Sequence, residues 1–130
     1  MHFGVWHPIS QAGTAAPEAA GVLQTRAEGV MDYRSGRSSM VFYACSDAGE
    51  TLRGFVAGRG AREIDRAISA GARWIRFAPT PDPRRELDRL LEGFAERFGS
   101  PPISNIGAQQ RRVQSGAAQR ATAKGEEDPR

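Results

Sequence analysis

The chain has 130 residues, of which 39% are hydrophobic and 25% are charged, and this balance predicts one globular domain with a single modest core. No apolar run approaches the roughly 20 residues that a membrane span requires, so we expect no membrane partner. The formal net charge is +3, but the segment from Gly107 onward holds five basic and three acidic residues, which leaves +1 for the rest and argues against a broad phosphate-binding face. A single cysteine, Cys45, excludes an internal disulfide, and without a secretory signal it favours a cytoplasmic location.

The first half of the chain predicts a lead-in followed by a hairpin. Residues 1–16 show no periodicity and are interpreted as a flexible lead-in to a domain that spans residues 17–106. A weakly alternating segment, Gly21–Arg26, suits a first strand, and the continuous apolar run Met40–Cys45 suits a buried central strand. The turn-rich residues 32–39 between them predict a hairpin with an unusually long loop.

The second half of the chain predicts helices around one further strand. Apolar residues spaced three and four apart predict short helices over residues 50–57 and 61–70, and residues 73–77 alternate as a third strand. Thr80 and the prolines after it predict a long helix that ends at Gly99. The predicted fold is α+β, a small three-stranded antiparallel sheet flanked by helices, followed by a disordered tail over residues 107–130, which offer no apolar face.

Five short segments match, one after another, the motifs of a known family. They are Gly21-Val22-Leu23, Phe42-Tyr43-Ala44, Leu52-Arg53, Glu86 in the long helix, and the Pro101-Pro102 pair with Asn105 three residues later. Over about two-thirds of its length the chain resembles the GIY-YIG nuclease domain, and the predicted order of strands and helices is also the order of that fold. The resemblance places Gly21, Leu23, Phe42, Ala44 and Asn105 at motif positions.

The resemblance implies a metal-dependent cleavage of phosphodiesters in which two of the required groups are missing. In that family tyrosine hydroxyls handle the attacking water, an arginine balances the phosphoryl charge, and a glutamate holds one divalent metal. Arg53 and Glu86 stand at the arginine and glutamate positions, whereas Leu23 and Phe42 stand at the tyrosine positions and carry no hydroxyl. We therefore predict a non-catalytic or vestigial domain with no cofactor, acting as a weak nucleic-acid-binding or accessory protein.

An active nuclease is the first alternative. It would use Arg53 as the cation, Glu86 as the ligand of one Mg²⁺ ion, and a relocated tyrosine. Tyr33 lies in the predicted loop and is one candidate for that role. Tyr43 is less suited to it because successive strand residues point to opposite faces, which turns Tyr43 away from the side that Phe42 occupies.

A protein-interaction module is the second alternative, with the sheet face around Trp74 meeting a partner that the sequence does not identify. Trp74 with Arg73 and Arg76 would also suit stacking on a nucleic-acid base, although a strand tryptophan is more often part of a core.

The candidate site residues also have ordinary structural interpretations. Arg53 suits a solvated helix arginine, and Glu86 suits an ion-pair partner of Arg89 on the same helix. Asn105 suits a turn-capping amide. Cys45 suits a packed thiol, because nothing beside it in the sequence predicts a low pKa.

Overall fold

A computed structural model describes residues 1–105, and the tail predicted over residues 107–130 lies outside the described residues. The described part is an α+β fold with one four-stranded antiparallel sheet in the order β1-β4-β2-β3. The strands are β1 (His7–Pro8), β2 (Gly21–Tyr33), β3 (Gly36–Cys45) and β4 (Ala72–Pro79). The helices are α1 (Ala12–Ala15), preceded by a 3-10 turn at Ile9–Gln11, then α2 (Leu52–Ala57), α3 (Ala61–Ser69) and α4 (Pro83–Phe98). The α+β prediction is confirmed, but the predicted strand number is wrong because β1 adds a fourth strand.

The N-terminal segment packs on the domain, in contrast to the flexible lead-in predicted for residues 1–16. β1 pairs antiparallel with β4 and places His7 opposite Ile75. The helix α1 follows, and its first residue, Ala12, is buried together with Ala16, which comes directly after it. Neither element could be read from the sequence, because a two-residue strand and a one-turn helix are too short to establish a hydrophobic period.

β2 and β3 form a long hairpin that closes in a tight turn at residues 34–35, not in the long loop predicted over residues 32–39. The pairing extends outward until Tyr33 lies opposite Gly36, with bulges midway along the hairpin. The outer half of the hairpin is largely solvent-exposed, as at residues 28–30. A strand without a buried face has no apolar alternation, which is why the sequence pattern missed it.

The tip of this hairpin is fixed to the end of α4. The backbone N–H of Ser35 donates to the carbonyl oxygen of Phe98 at 2.9 Å. Gly99 then ends the helix with a left-handed φ of +83°, as the sequence predicts for a helix-terminating glycine. A Cβ atom at Gly99 would lie 2.9 Å from Cβ of Arg34, so the close approach of turn and helix also requires glycine.

The other helices begin and end close to the predicted residues. α2 begins at Leu52, where the Thr51 hydroxyl accepts the N–H of Gly54 at 3.0 Å and caps the first turn. α3 ends next to Gly71, which has a φ of +110°. Within residues 1–105, none of the helices combines the length and the apolar character needed to cross a membrane.

The sheet separates two hydrophobic clusters, because alternate residues of each strand face opposite sides. The cluster under α1, α2 and α3 is built from large side chains of the sheet and of α2, namely Leu23, Val41, Phe42, Leu52, Phe55, Ile75 and Phe77. The cluster under α4 contains Val22, Tyr43, Cys45, Leu87 and Phe94. We call these the α2-side and the α4-side clusters.

Candidate functional site

Leu23 and Phe42, the two motif positions without a hydroxyl, lie in the α2-side cluster. They occupy neighbouring strands and are 0% and 2% exposed. Ala44 pairs directly with Leu23 and belongs to the same cluster. Burying a leucine or phenylalanine side chain stabilises a fold by about 1.5–3 kcal/mol, so these positions contribute packing energy to the core.

Gly21 is required at the start of β2 by close packing. A Cβ atom there would lie 2.7 Å from Cδ1 of Leu52 and 2.9 Å from Cα of Pro79. Its backbone N–H also donates to the buried hydroxyl of Ser46 at 3.0 Å. The motif glycine therefore lets α2 and β4 approach the first residue of the central strand.

Arg53 extends from α2 toward the segment that precedes β2. Its Nε donates to the carbonyl oxygen of Ala16 at 2.9 Å, and its Nη2 donates to that of Thr14 at 3.3 Å. Its Nη1 lies 3.5 Å from a carboxylate oxygen of Glu18. Each guanidinium nitrogen thus has a protein partner, and the side chain ties the end of α1 to α2.

Glu86 lies in the first turn of α4, where its carboxylate accepts a hydrogen bond from Nη1 of Arg89 at 3.2 Å. Its side chain is 22% exposed. The adjacent Leu87 packs in the α4-side cluster, so Glu86 belongs to the helix on the sheet face opposite Leu23 and Phe42. Within residues 1–105, no group of three or more His, Cys, Asp or Glu side chains is arranged to hold a metal ion.

The Asn105 side chain forms hydrogen bonds with backbone groups on the outer edge of β3. Its Oδ1 accepts the backbone N–H of Tyr43 and its Nδ2 donates to the carbonyl oxygen of Tyr43, both at 2.8 Å. The side chain is therefore bound as a neighbouring strand would be, and the residue is 2% exposed. β3 is the edge strand of the sheet, so Asn105 pairs backbone groups that the sheet itself leaves unpaired.

The two tyrosines of the chain have structural partners on the α4 side. The hydroxyl of Tyr33 donates to the carbonyl oxygen of Met40 at 2.6 Å and accepts the N–H of Ile103 at 3.0 Å. Tyr43 faces the α4-side cluster, as strand alternation predicts, and its ring packs edge-on against Phe94 with centroids 5.7 Å apart. Burial raises the pKa of Tyr43 to about 12, and the nearby charge of Arg76 offsets only part of that rise.

Cys45 is a packed thiol in the α4-side cluster. Burial is the main reason that its pKa is raised above the usual value, and the charges of Arg84 and Arg59 offset only part of the rise. A thiol held in its neutral form is a poor nucleophile.

Beyond the motif residues, arginines and aromatic rings alternate on the α4-side face of the sheet, beside β4. The guanidinium of Arg26 lies 4.8 Å from the ring centroid of Trp6 and 5.6 Å from that of Trp74. The guanidinium of Arg76 lies 4.4 Å from the centroid of Trp6 and 4.7 Å from that of Phe3. We call these five residues the arginine–aromatic stack, and all five are partly exposed.

The two cations of the stack are close together and have few polar partners. Arg76 donates to Oε1 of Gln24 at 2.8 Å, and Arg26 donates to the carbonyl oxygen of Ala27 at 3.4 Å. Desolvation is the main reason that the pKa of Arg76 is lowered; the nearby Tyr43 opposes this shift and the charge of Arg26 adds to it. The site therefore concentrates positive charge next to aromatic surface, an arrangement that suits anions attached to flat ring systems.

The sequence predicts only part of this stack, because it brings together Trp74 and Arg76 alone. Arg26 lies opposite Trp74 in a strand register that the structure supplies. Trp6 and Phe3 could not be found from periodicity, because they lie in the N-terminal segment that shows none. Arg73, which the sequence pattern groups with Trp74, is exposed and is not a member of the stack.

Comparison with known proteins does not assign a family to this arrangement. The chain matches no protein-family model, no curated protein and no solved structure.

Proposed function

We propose that this protein is a non-catalytic GIY-YIG-like domain that binds nucleic acid weakly or acts as an accessory protein. The burial of Leu23 and Phe42 carries the proposal. A water that attacks a phosphodiester needs a polar group to orient or deprotonate it, and two hydrocarbon side chains at 0% and 2% exposure supply none. The order β2, β3, α2, α3, β4, α4 agrees with the order of elements that the resemblance implies.

The contacts of Arg53 and Glu86 support a structural role for both residues. Arg53 uses its guanidinium nitrogens on the carbonyl oxygens of Ala16 and Thr14 and on the carboxylate of Glu18. Glu86 is paired with Arg89 on the face of the sheet opposite the two hydrocarbon positions. These contacts favour a scaffold that keeps the motif residues for stability.

The tyrosines also favour the non-catalytic proposal over an active nuclease. Tyr33 already uses its hydroxyl both as a donor and as an acceptor. Tyr43 has a pKa of about 12, so at neutral pH it remains protonated and cannot act as a base. We also propose a cytoplasmic location, which the single unpaired Cys45 supports.

One experiment tests binding and cleavage together. The full-length protein is incubated with end-labelled DNA and Mg²⁺ at about 50 mM salt, retained on a filter, and the DNA is recovered and sized. We expect salt-dependent retention and recovery of full-length DNA. Shortened DNA would contradict the proposal, and an absence of retention at every salt concentration would remove its nucleic-acid part in favour of the protein-interaction module.

A further inference from the structure

We propose that the arginine–aromatic stack is a binding site for single-stranded nucleic acid, in which unpaired bases stack against the tryptophan rings and phosphates contact Arg26 and Arg76. The stack lies on the sheet face opposite Leu23 and Phe42, so it is separate from the motif positions that the resemblance assigns to chemistry. The inference deepens the proposed function and rests on it only in requiring that the chain binds nucleic acid.

The charges around the stack favour an anionic ligand. Among residues 1–105, no carboxylate lies within 4 Å of Arg26 or Arg76, whereas five other arginines form such ion pairs, namely Arg37, Arg53, Arg59, Arg84 and Arg89. One carboxylate touches the stack, that of Glu28, and it accepts from Nε1 of Trp74 at 3.3 Å. A guanidinium held over a ring keeps N–H donors at its edge, where phosphate oxygens can accept them.

The rings in the stack favour single strands over duplexes. Trp6 and Trp74 are partly exposed, and an unpaired base offers the flat surface that stacks on such a ring. Bases inside a duplex are stacked on one another and do not reach a protein ring without being extruded. A net charge of only +1 outside the C-terminal segment also suits a local site for a few nucleotides more than a broad duplex-binding face.

The tryptophans give this site its own spectroscopic signal. Trp6 and Trp74 are the two tryptophans of the whole chain, and both lie in the stack. The full-length protein is titrated with single-stranded oligonucleotides of about ten nucleotides at about 50 mM salt, with a chelator present so that cleavage cannot contribute. Oligo-dT and oligo-U are used in parallel to distinguish DNA from RNA. We expect quenching of tryptophan fluorescence and a matching rise in the anisotropy of labelled oligonucleotides.

Two charge-matched double variants locate the bound strand. We expect R26Q/R76Q to weaken binding at least about tenfold and to reduce the slope of log K against log salt by about 1.4, because each lost phosphate contact removes about 0.7. The control R62Q/R66Q removes the same charge from exposed positions of α3, on the other side of the sheet, and we expect it to change binding less than about twofold. Trp74→Ala should weaken binding about fivefold to hundredfold, which is the usual effect of losing one stacked base.

A second variant keeps the test decisive if R26Q/R76Q does not fold. Glu28→Gln retains an oxygen that can accept from Trp74 but removes the negative charge beside the stack. Glu28 is exposed, so its replacement is compatible with the fold. We expect Glu28→Gln to bind oligonucleotides at least about twofold more tightly, since one repulsive charge is lost.

Several outcomes would overturn the inference. These are an absence of quenching with both oligonucleotides, equal affinity for a duplex of the same length, equal loss in R62Q/R66Q and R26Q/R76Q, and unchanged or weaker binding in Glu28→Gln. A failure here leaves the non-catalytic proposal standing, because that proposal is tested by the length of the recovered DNA. Cleavage in the metal-containing assay would in turn leave the chelated titration interpretable.

Discussion

At the residue scale, polar side chains at the positions that the resemblance singles out form contacts within this fold. Arg53 joins α2 to the carbonyl oxygens of Thr14, in the last turn of α1, and of Ala16, directly after it. Asn105 pairs with the backbone of Tyr43. Both side chains thus contribute contacts that hold the fold together, and measurements of stability can detect this role.

Replacing Arg53 with alanine should destabilise the fold. The substitution leaves the carbonyl oxygen of the buried Ala16 without its side-chain donor, and we expect a loss of about 1–3 kcal/mol in the free energy of unfolding. Urea denaturation measures it. Arg62→Ala, at an exposed position of α3, serves as the control and should change stability by less than about 0.5 kcal/mol. Equal stability of the two variants would contradict the structural role of Arg53.

Tyr43 should make the fold sensitive to alkaline pH. Its pKa is about 12 in the folded protein and near 10 in the unfolded chain, so the unfolded state loses this proton first. The contribution of the protonated Tyr43 to the free energy of unfolding is complete below pH 10 and is lost as the pH rises through 12. At pH 11 the free energy of unfolding should be lower by about 1 kcal/mol. Urea midpoints at pH 8 and pH 11 measure it.

Tyr43→Phe separates this effect from general alkaline unfolding. The variant keeps the ring that packs against Phe94 and removes the titrating hydroxyl. Its loss of stability between pH 8 and pH 11 should be smaller than that of the wild type by about 1 kcal/mol. The remaining loss includes Tyr33, whose pKa burial also raises. An identical loss in both proteins would show that Tyr43 ionises as readily folded as unfolded.

At the element scale, hydrogen bonds at the edge of β3 and at the end of α4 hold the β2–β3 hairpin in place. The Asn105 amide pairs with β3 where no further strand does. Arg59 adds a second contact by donating from Nη2 to the carbonyl oxygen of Cys45 at 3.3 Å. Unpaired strand edges promote association with other chains, and these side chains cover part of the β3 edge.

Removing the Asn105 amide should expose that edge. Asn105→Ala leaves the buried N–H and carbonyl oxygen of Tyr43 unpaired, and we expect a cost of about 2–4 kcal/mol. We also expect association that grows with protein concentration, measured by sedimentation velocity. Ser104→Ala is the neighbouring control and should associate no more than the wild type. An Asn105→Ala protein with wild-type stability and wild-type association would show that water replaces the amide at no cost.

Two glycines of the α4 region should respond in opposite directions to alanine. Gly99 has a φ of +83°, and a Cβ atom there would approach Cβ of Arg34 at 2.9 Å, so we expect Gly99→Ala to cost about 1–3 kcal/mol. Gly93 lies within α4 with nothing within 4 Å of an added Cβ, so Gly93→Ala should stabilise by about 0.5–1 kcal/mol. The stabilities of the two variants and the wild type are compared by thermal unfolding. A stabilising Gly99→Ala would contradict the fixed approach of turn and helix.

At the scale of the whole molecule, the sequence predicted the elements that have a strong hydrophobic period and missed those that lack one. α4 was predicted because its apolar stripe repeats over sixteen residues. β1 and the outer half of the β2–β3 hairpin were missed, since the first has two residues and the second lacks a buried face. Neither property leaves a periodic signal in a single sequence.

For the candidate site, the sequence shows the residue types but not the contacts that those residues make. Residue types alone show that Leu23 and Phe42 carry no hydroxyl, whereas their place in one buried cluster comes from the structure. It could not give the partners of Arg53, since the carbonyl oxygens that it contacts belong to a segment without sequence pattern. It also could not assemble the arginine–aromatic stack, which joins β2 and β4 to that same segment.

The most direct test of the non-catalytic proposal is the initial rate at which the full-length protein nicks supercoiled plasmid in the presence of Mn²⁺. Glu86→Ala is compared with Glu92→Ala, an exposed glutamate on the same helix, to identify any contaminating nuclease. We predict that the wild type and both variants show the same rate as a reaction without protein. A metal-dependent rate in the wild type that Glu86→Ala abolishes and Glu92→Ala retains would contradict the proposal.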